Sequence, residues 1–293
     1  MRVLVTGATG YIGSTVCHFL KAAGHEVTGL ARSQAKINQL VAAGFHAVPG
    51  DLDQPDSLAG AARAVDAVVH TAMQFDAGAG VRDRLAVETL LNALAGTEAV
   101  FVYTSGVWVM GYTRGRLLGE LSTPAPPALV AWRPAVEQTV LQAAERGVRS
   151  MVVRPGMVFG RGGGVLGDMV RQARTEGVVR IVGNGENHWS TVHVEDLAEL
   201  YSLMLADPAP GELFIATGGI PQTVGRIAGA VARACGVEGR VECVPVELAR
   251  ERMGPVADCL VMDLKAGSTK AARFFGWTVR RPSIYEEIGG TMT

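Results

Sequence analysis

The chain has no Cys-x-x-Cys pair, no His-x-x-x-His pair and no unbroken apolar stretch long enough to cross a bilayer. Its four cysteines (Cys17, Cys235, Cys243, Cys259) and 6 histidines are dispersed, so neither a disulfide framework nor a metal site is expected. An excess of either charge is also missing. With 27 basic against 28 acidic residues the net charge is -1, and neither nucleic acid nor a membrane surface is expected as a partner. No lysine follows Gly7-Ala8-Thr9-Gly10, which excludes a Walker loop and nucleotide hydrolysis. There is no repeat, and no low-complexity tract beyond Pro124–Pro127. What remains is an apolar globular chain of 293 residues, 48% hydrophobic and 19% charged. A chain of this size buries roughly 75% of its unfolded surface and needs no staple. A reduced, cytoplasmic enzyme or binding protein is the expectation, with a small molecule as its partner.

Up to about residue 155, β-branched runs alternate with helical patterns. The runs are Arg2–Thr6, Glu26–Leu30, His46–Pro49, Asp66–His70, Ala99–Thr104 and Arg149–Arg154. Helical patterns fall near Ile12–Ala23, Gln34–Ala43, Pro55–Ala62, Val81–Ala95 and Pro134–Arg146. Strands apolar on both faces, separated by helices, predict an α/β fold: a Rossmann-type, doubly wound parallel sheet. The more irregular remainder predicts a smaller C-terminal substrate lobe. The expected division is residues 1–160 for the dinucleotide-binding domain, with further segments from 188–217, and 161–293 mainly for the substrate lobe.

The strongest signal is Val3-Leu4-Val5-Thr6-Gly7-Ala8-Thr9-Gly10-Tyr11-Ile12-Gly13. An apolar strand here runs straight into a glycine-rich turn, which reads as a buried strand and not as a signal peptide. Gly7 permits the turn, Gly10 admits a pyrophosphate, and Gly13 lets helix and strand pack closely. Thr9, Tyr11 and Ile12 complete a helix start that offers free N–H groups to phosphate. After the second strand come Ala31-Arg32-Ser33, with no carboxylate to hold a ribose 2′-hydroxyl. Arg32 and Ser33 suit a 2′-phosphate, so NADP is expected, with NAD as the alternative; otherwise Arg32 is a solvated helix-start residue. Asp51 and Leu52, in Gly50-Asp51-Leu52-Asp53, follow the third strand, where a carboxylate either meets the adenine or caps a helix.

With these residues in view, the chain resembles the extended short-chain dehydrogenase/reductase superfamily, the NAD-dependent epimerase/dehydratase group. The resemblance rests on the loop at 7–13, Gly50-Asp51-Leu52-Asp53, Val69-His70-Thr71-Ala72 and Val102-Tyr103-Thr104-Ser105-Gly106. It continues through Val153-Arg154-Pro155-Gly156-Met157-Val158-Phe159-Gly160, Val192-His193-Val194-Glu195-Asp196 and Phe275-Gly276-Trp277. It implies that Thr71, Ala72, Met73, Pro155, Gly156, Met157 and Val158 border the cofactor. It also implies a homodimer built on the helices around Val81–Ala95 and Pro134–Arg146. The family's Tyr and Lys dyad, four residues apart, is missing. Aligning on Glu137 puts Arg133 at the Lys position and Leu129 at the Tyr position, and no lysine occurs between Lys36 and Lys265. Leu129 moves no proton, and Arg133 stays charged, so it is no base. Arg133 is expected to bond the nicotinamide ribose. The family's catalytic Ser or Thr position holds Gly106, with Ser105 just before it.

Ser105 and Thr104 end the fifth strand, where parallel sheets place ligands, and either hydroxyl bonds a substrate oxygen or satisfies local backbone. Glu120 is a candidate acid/base group, or else a solvated loop carboxylate. Phe75, Asp76, Trp108, His188 and Trp189 are the candidate substrate contacts, the last two offering a titratable ring and a flat apolar wall. Three functions stay open. The first is an NADP-dependent oxidoreductase acting on a small carbonyl or sugar-like substrate with an atypical proton relay. The others are a non-redox isomerase, lyase or cyclase, and a nucleotide-sensing binding protein resembling the NmrA-like regulators.

Overall fold

The computed structural model describes residues 1–267 and 269–290. Its strands are β1 (Arg2–Thr6), β2 (Glu26–Ala31), β3 (His46–Pro49), β4 (Ala67–His70), β5 (Val100–Thr104) and β6 (Arg149–Pro155). They continue with β7 (Met157–Gly160), β8 (Val179–Val182), β9 (His188–His193), β10 (Glu212–Ala216), β11 (Gly218–Thr223) and β12 (Val241–Val244). The helices of the first lobe are α1 (Tyr11–Ala22), α2 (Gln34–Ala42), α3 (Pro55–Arg63), α4 (Ala79–Leu94) and α5 (Arg133–Gln142). Further along lie α6 (Gly164–Glu176), α7 (Val194–Ala206), α8 (Val224–Ala234), α9 (Val246–Met253), α10 (Val256–Leu260), α11 (Lys270–Phe275) and α12 (Ile284–Gly290).

Seven strands form one parallel sheet in the order β3-β2-β1-β4-β5-β6-β10. The pleat explains its two cores. Val3 and Val5 face Val16, Leu20, Leu197 and Tyr201 of α1 and α7, while Leu4 faces Leu58, Val87 and Leu90 of α3 and α4. The strand order reverses between β1 and β4, which opens the crevice at their carboxyl ends. Past Gly156 the chain leaves this sheet. β7 joins β9 and β11 in a three-stranded sheet, and β8 pairs with β12. A separate apolar core, including Phe159, Trp189, Ile227 and Ile284, holds the second lobe.

The alternating runs fall within a residue or so of the observed strands, and the helix carrying Arg133 starts as close to its expected place. It begins at Arg133, and Leu129 lies in a separate 3-10 turn over Ala128–Val130. Pro134 is the cause: it has no N–H to donate to Val130 and its ring crowds that carbonyl, so it belongs in a first helical turn. The same helix ends sooner than expected, tightening into a 3-10 turn over Ala143–Arg146.

Candidate active site

Gly7 turns the chain at φ +69°, and its carbonyl accepts from the Gly10 amide at 2.8 Å. Gly10 begins α1 with no side-chain cap, so the helix presents free N–H groups. At Gly13 a Cβ would stand 2.2 Å from the Gly7 oxygen, so only glycine fits that approach. Beside this loop lies a cleft of about 260 Å³. Gly7, Thr9, Gly10, Arg32, Asp51, Leu52, Thr71, Ala72 and Met73 all line it. Ala31 lines it too, as do Lys36, Gln74 and Arg82, which sequence reasoning did not find as cofactor neighbours. Arg82 reaches it from α4, held by Asp53 at 2.9 Å and Asp76 at 3.0 Å, a pairing that local sequence gives no sign of. These glycines and this cleft fit a dinucleotide: the loop leaves room that any side chain would fill, and the free amides suit its pyrophosphate.

Ile12 and Gly13 sit in the first turn of α1, and Tyr11 turns its side chain elsewhere. Its phenol donates to the Gly160 carbonyl at 2.8 Å and its ring packs on Gly163, so it ties the loop to the second lobe. Pro155 ends β6, and the Gly156 amide donates to Ala216 at 2.9 Å. Met157 and Val158 then start β7, so these four residues form the corner between the lobes.

At the carboxyl end of β5 Arg133 is only 5% exposed. Its Nη1 donates to the Thr104 carbonyl at 2.9 Å and approaches the Tyr103 hydroxyl at 3.5 Å. Its guanidinium lies over two rings, 5.9 Å from the centre of Tyr103 and 5.8 Å from that of Trp132. The next residue after Thr104, Ser105, is 8% exposed, and its hydroxyl has no partner among the described residues. Thr104 is differently placed: its hydroxyl bonds Tyr201 at 2.6 Å in the core on the α7 side. Glu120 accepts from the Ile215 amide of β10 at 3.0 Å, so one of its oxygens serves the sheet edge.

A buried polar cluster lies under Arg133. Asp83, 1% exposed, accepts from the Tyr103 hydroxyl at 2.5 Å and from the Trp132 indole at 2.9 Å. Burial alone would raise its carboxyl; His70, Arg133 and Tyr103 outweigh that and hold it below the ordinary carboxylate value. Burial keeps the Tyr103 phenol protonated, well above its usual value, though Arg133 pulls it down. Deeper still, Arg154 and Glu137 form a two-pronged ion pair at 2.9 and 2.5 Å.

The candidate substrate contacts divide. The Phe75 and Trp108 rings stand 6.5 Å apart, and Asp76 is engaged by Arg82, Gln74 and the Gly78 amide. Phe75, Asp76, Leu129, Trp132, Met253 and Val256 line a mostly apolar groove of about 890 Å³ between α4, α5 and the second lobe. Trp189 is a correction. It is 4% exposed, packs in the second lobe's core and donates to the Leu260 carbonyl, so it is no open wall. His188 bonds Asp263 at 2.8 Å, and that carboxylate also takes the His188 and Gly115 amides. The pair therefore clasps the 111–118 loop to the second lobe. Among the described residues no cluster of three or more His, Cys, Asp or Glu is placed to hold a metal, and no helix is long and apolar enough to cross a membrane.

The family model for the NAD dependent epimerase/dehydratase family matches residues 3–216, and the chain belongs to that family. It is 35% identical, over 98% of each chain, to the uncharacterized protein C2A9.02 of Schizosaccharomyces pombe. It is 28% identical to the 2-alkyl-3-oxoalkanoate reductase of Stenotrophomonas maltophilia, over 72% of this chain and 67% of that one. In structure it is similar to the dTDP-glucose 4,6-dehydratase of Bacillus anthracis in complex with NAD, with a TM-score of 0.81 at 17% identity over 100% of this chain and 95% of that one. The NADP expectation is corrected. That dehydratase holds NAD, as do other solved structures of this fold. The two residues that suggested a 2′-phosphate are also engaged: Ser33 caps α2 by accepting from the Lys36 amide, and Arg32 donates to Gln74 at 3.0 Å.

Proposed function

We propose that this protein is an NAD-dependent oxidoreductase that reduces a carbonyl compound with an apolar flank, without the family's tyrosine. The observation that carries the reading is the Ser105 hydroxyl, buried and unpartnered, one peptide beyond the carbonyl that Arg133 grips. A buried hydroxyl without a partner costs about 1–3 kcal/mol, which a substrate oxygen would recover. The glycine loop and its cleft support NAD, with its pyrophosphate over Gly10–Ile12 and its ribose hydroxyls at Arg133. Bound as NADH, the cofactor supplies the hydride. Ser105 then donates to the substrate oxygen and passes on a proton from water as the carbonyl becomes an alcohol. Arg133 lends a fixed positive field to the charge developing on that oxygen and gives up no proton. The apolar groove beside Trp132 and Leu129 suits an alkyl or ring substituent, and the similarity to a 3-oxoalkanoate reductase favours the same class.

The test is NADH oxidation with a panel of 3-oxo esters and aliphatic ketones, set beside nucleotide sugars. Turnover of the apolar ketones, lost in Ser105→Ala with NAD affinity intact, is the expected result. NAD binding without turnover of any carbonyl would reduce the protein to a nucleotide-binding role.

A further inference from the structure

Arg133 is a buried cation without a carboxylate in direct contact, and Glu137, one helical turn further on, is already committed to Arg154. Its charge is answered one step away. Tyr103 and Trp132, the two rings flanking the guanidinium, both donate to the same Oδ2 of Asp83. The other oxygen of Asp83 lies 3.5 Å from His70 Nε2. His70 Nδ1 in turn lies 2.9 Å from the Thr6 hydroxyl, which already accepts from the Ala72 amide. The Asp83 carboxylate can only accept, which favours the imidazole proton on Nε2, facing Asp83, and leaves Nδ1 to accept from the Thr6 hydroxyl. Thr6 directly precedes Gly7, the turn of the phosphate loop. A buried series of contacts thus runs from the loop through His70 and Asp83, which approach at 3.5 Å without a hydrogen bond, to the two rings beside Arg133.

From this we infer that Asp83 is the positioning residue for Arg133, holding it at the cofactor ribose and joining it to the phosphate loop. The inference rests on the reading that Arg133 bonds the ribose. Asp83 acts through a phenol and an indole and touches no ligand itself. A direct salt bridge would have occupied the guanidinium. This indirect pairing balances the charge while Nε and Nη2 keep no partner among the described residues, free for ribose hydroxyls.

A double-mutant cycle on NAD affinity, measured calorimetrically, tests it. Asp83→Asn and Tyr103→Phe should each weaken NAD binding by about five- to tenfold, the scale of one or two lost charge-assisted bonds. Neither change should weaken binding further once Arg133 is Ala. Tyr103→Phe removes a single oxygen, so it serves where Asp83→Asn folds poorly, and circular dichroism checks both. A merely structural Asp83 would lower Tm and leave the affinity of the folded protein unchanged. Affinity unchanged in Asp83→Asn and Tyr103→Phe, or losses fully additive with Arg133→Ala, would overturn the inference while the ribose reading stands. If Arg133→Ala itself binds NAD as the parent does, the ribose reading fails and the inference falls with it.

Discussion

Gly13→Ala adds one methyl group at the tightest point of the cofactor loop. Its Cβ would lie 2.2 Å from the Gly7 carbonyl oxygen and 2.7 Å from Thr71 Oγ1. No rotamer relieves this contact, because the obstacle is backbone. The Gly7 carbonyl is also pinned by the Gly10 amide at 2.8 Å. Either α1 retreats from the sheet or the turn opens. Overpacking typically costs about 1–3 kcal/mol, and a backbone contact this short belongs at the upper end. For a chain of this size that lowers Tm by roughly 5 °C. Gly10 behaves differently. A Cβ there meets only the Gly7 oxygen, at 3.1 Å, and the backbone is extended at φ -83°, which valine accepts. Gly10→Val should therefore cost much less Tm than Gly13→Ala while its side chain fills the space for the pyrophosphate. Scanning calorimetry with NAD titration separates the two: Gly13→Ala loses stability and binding together, Gly10→Val loses chiefly binding. A Gly10→Val protein with parental NAD affinity, or a Gly13→Ala protein with parental Tm, would refute the reasoning.

Arg133→Lys should retain NAD affinity within a few-fold, whereas Arg133→Ala should lose more than about tenfold, or 1.4 kcal/mol, in the same titration. Glu137→Gln leaves Arg154 buried beside a neutral amide, which should cost about 3–5 kcal/mol by urea denaturation; a loss under 1 kcal/mol would mean the pair is solvated. Burial alone would raise the Asp263 carboxyl, but the His188 ring and the His188 and Gly115 amides hold it below its ordinary value. A carboxyl lowered in the folded state stabilises above its unfolded pKa of about 3.9, and that stability drains as pH falls through the folded value. Tm should thus fall less steeply with acid in Asp263→Asn than in the parent, and equal slopes below pH ~4 would refute the clasp.

The sheet was legible in the sequence because its central strands are buried on both faces. Val3-Leu4-Val5 and Val100-Phe101-Val102 need no partner in view to be read as central strands. The phosphate loop was legible for a local reason as well: a turn, a close approach and a free helix end are decided within Gly7–Gly13. The absence of a tyrosine and lysine was equally plain. The folded chain alone decided which side chains remained free. Arg32 and Ser33 look like a phosphate grip in sequence, yet Gln74 and the Lys36 amide occupy them. His188 and Trp189 look like a substrate wall, yet Asp263 and the Leu260 carbonyl take them. The cluster of His70, Asp83, Tyr103 and Trp132 around Arg133 draws on β4, α4, β5 and the start of α5, so no local pattern announces it. A backbone motif is set by its own dihedrals, whereas the role of a polar side chain is set by which distant group reaches it first, and only tertiary packing settles that.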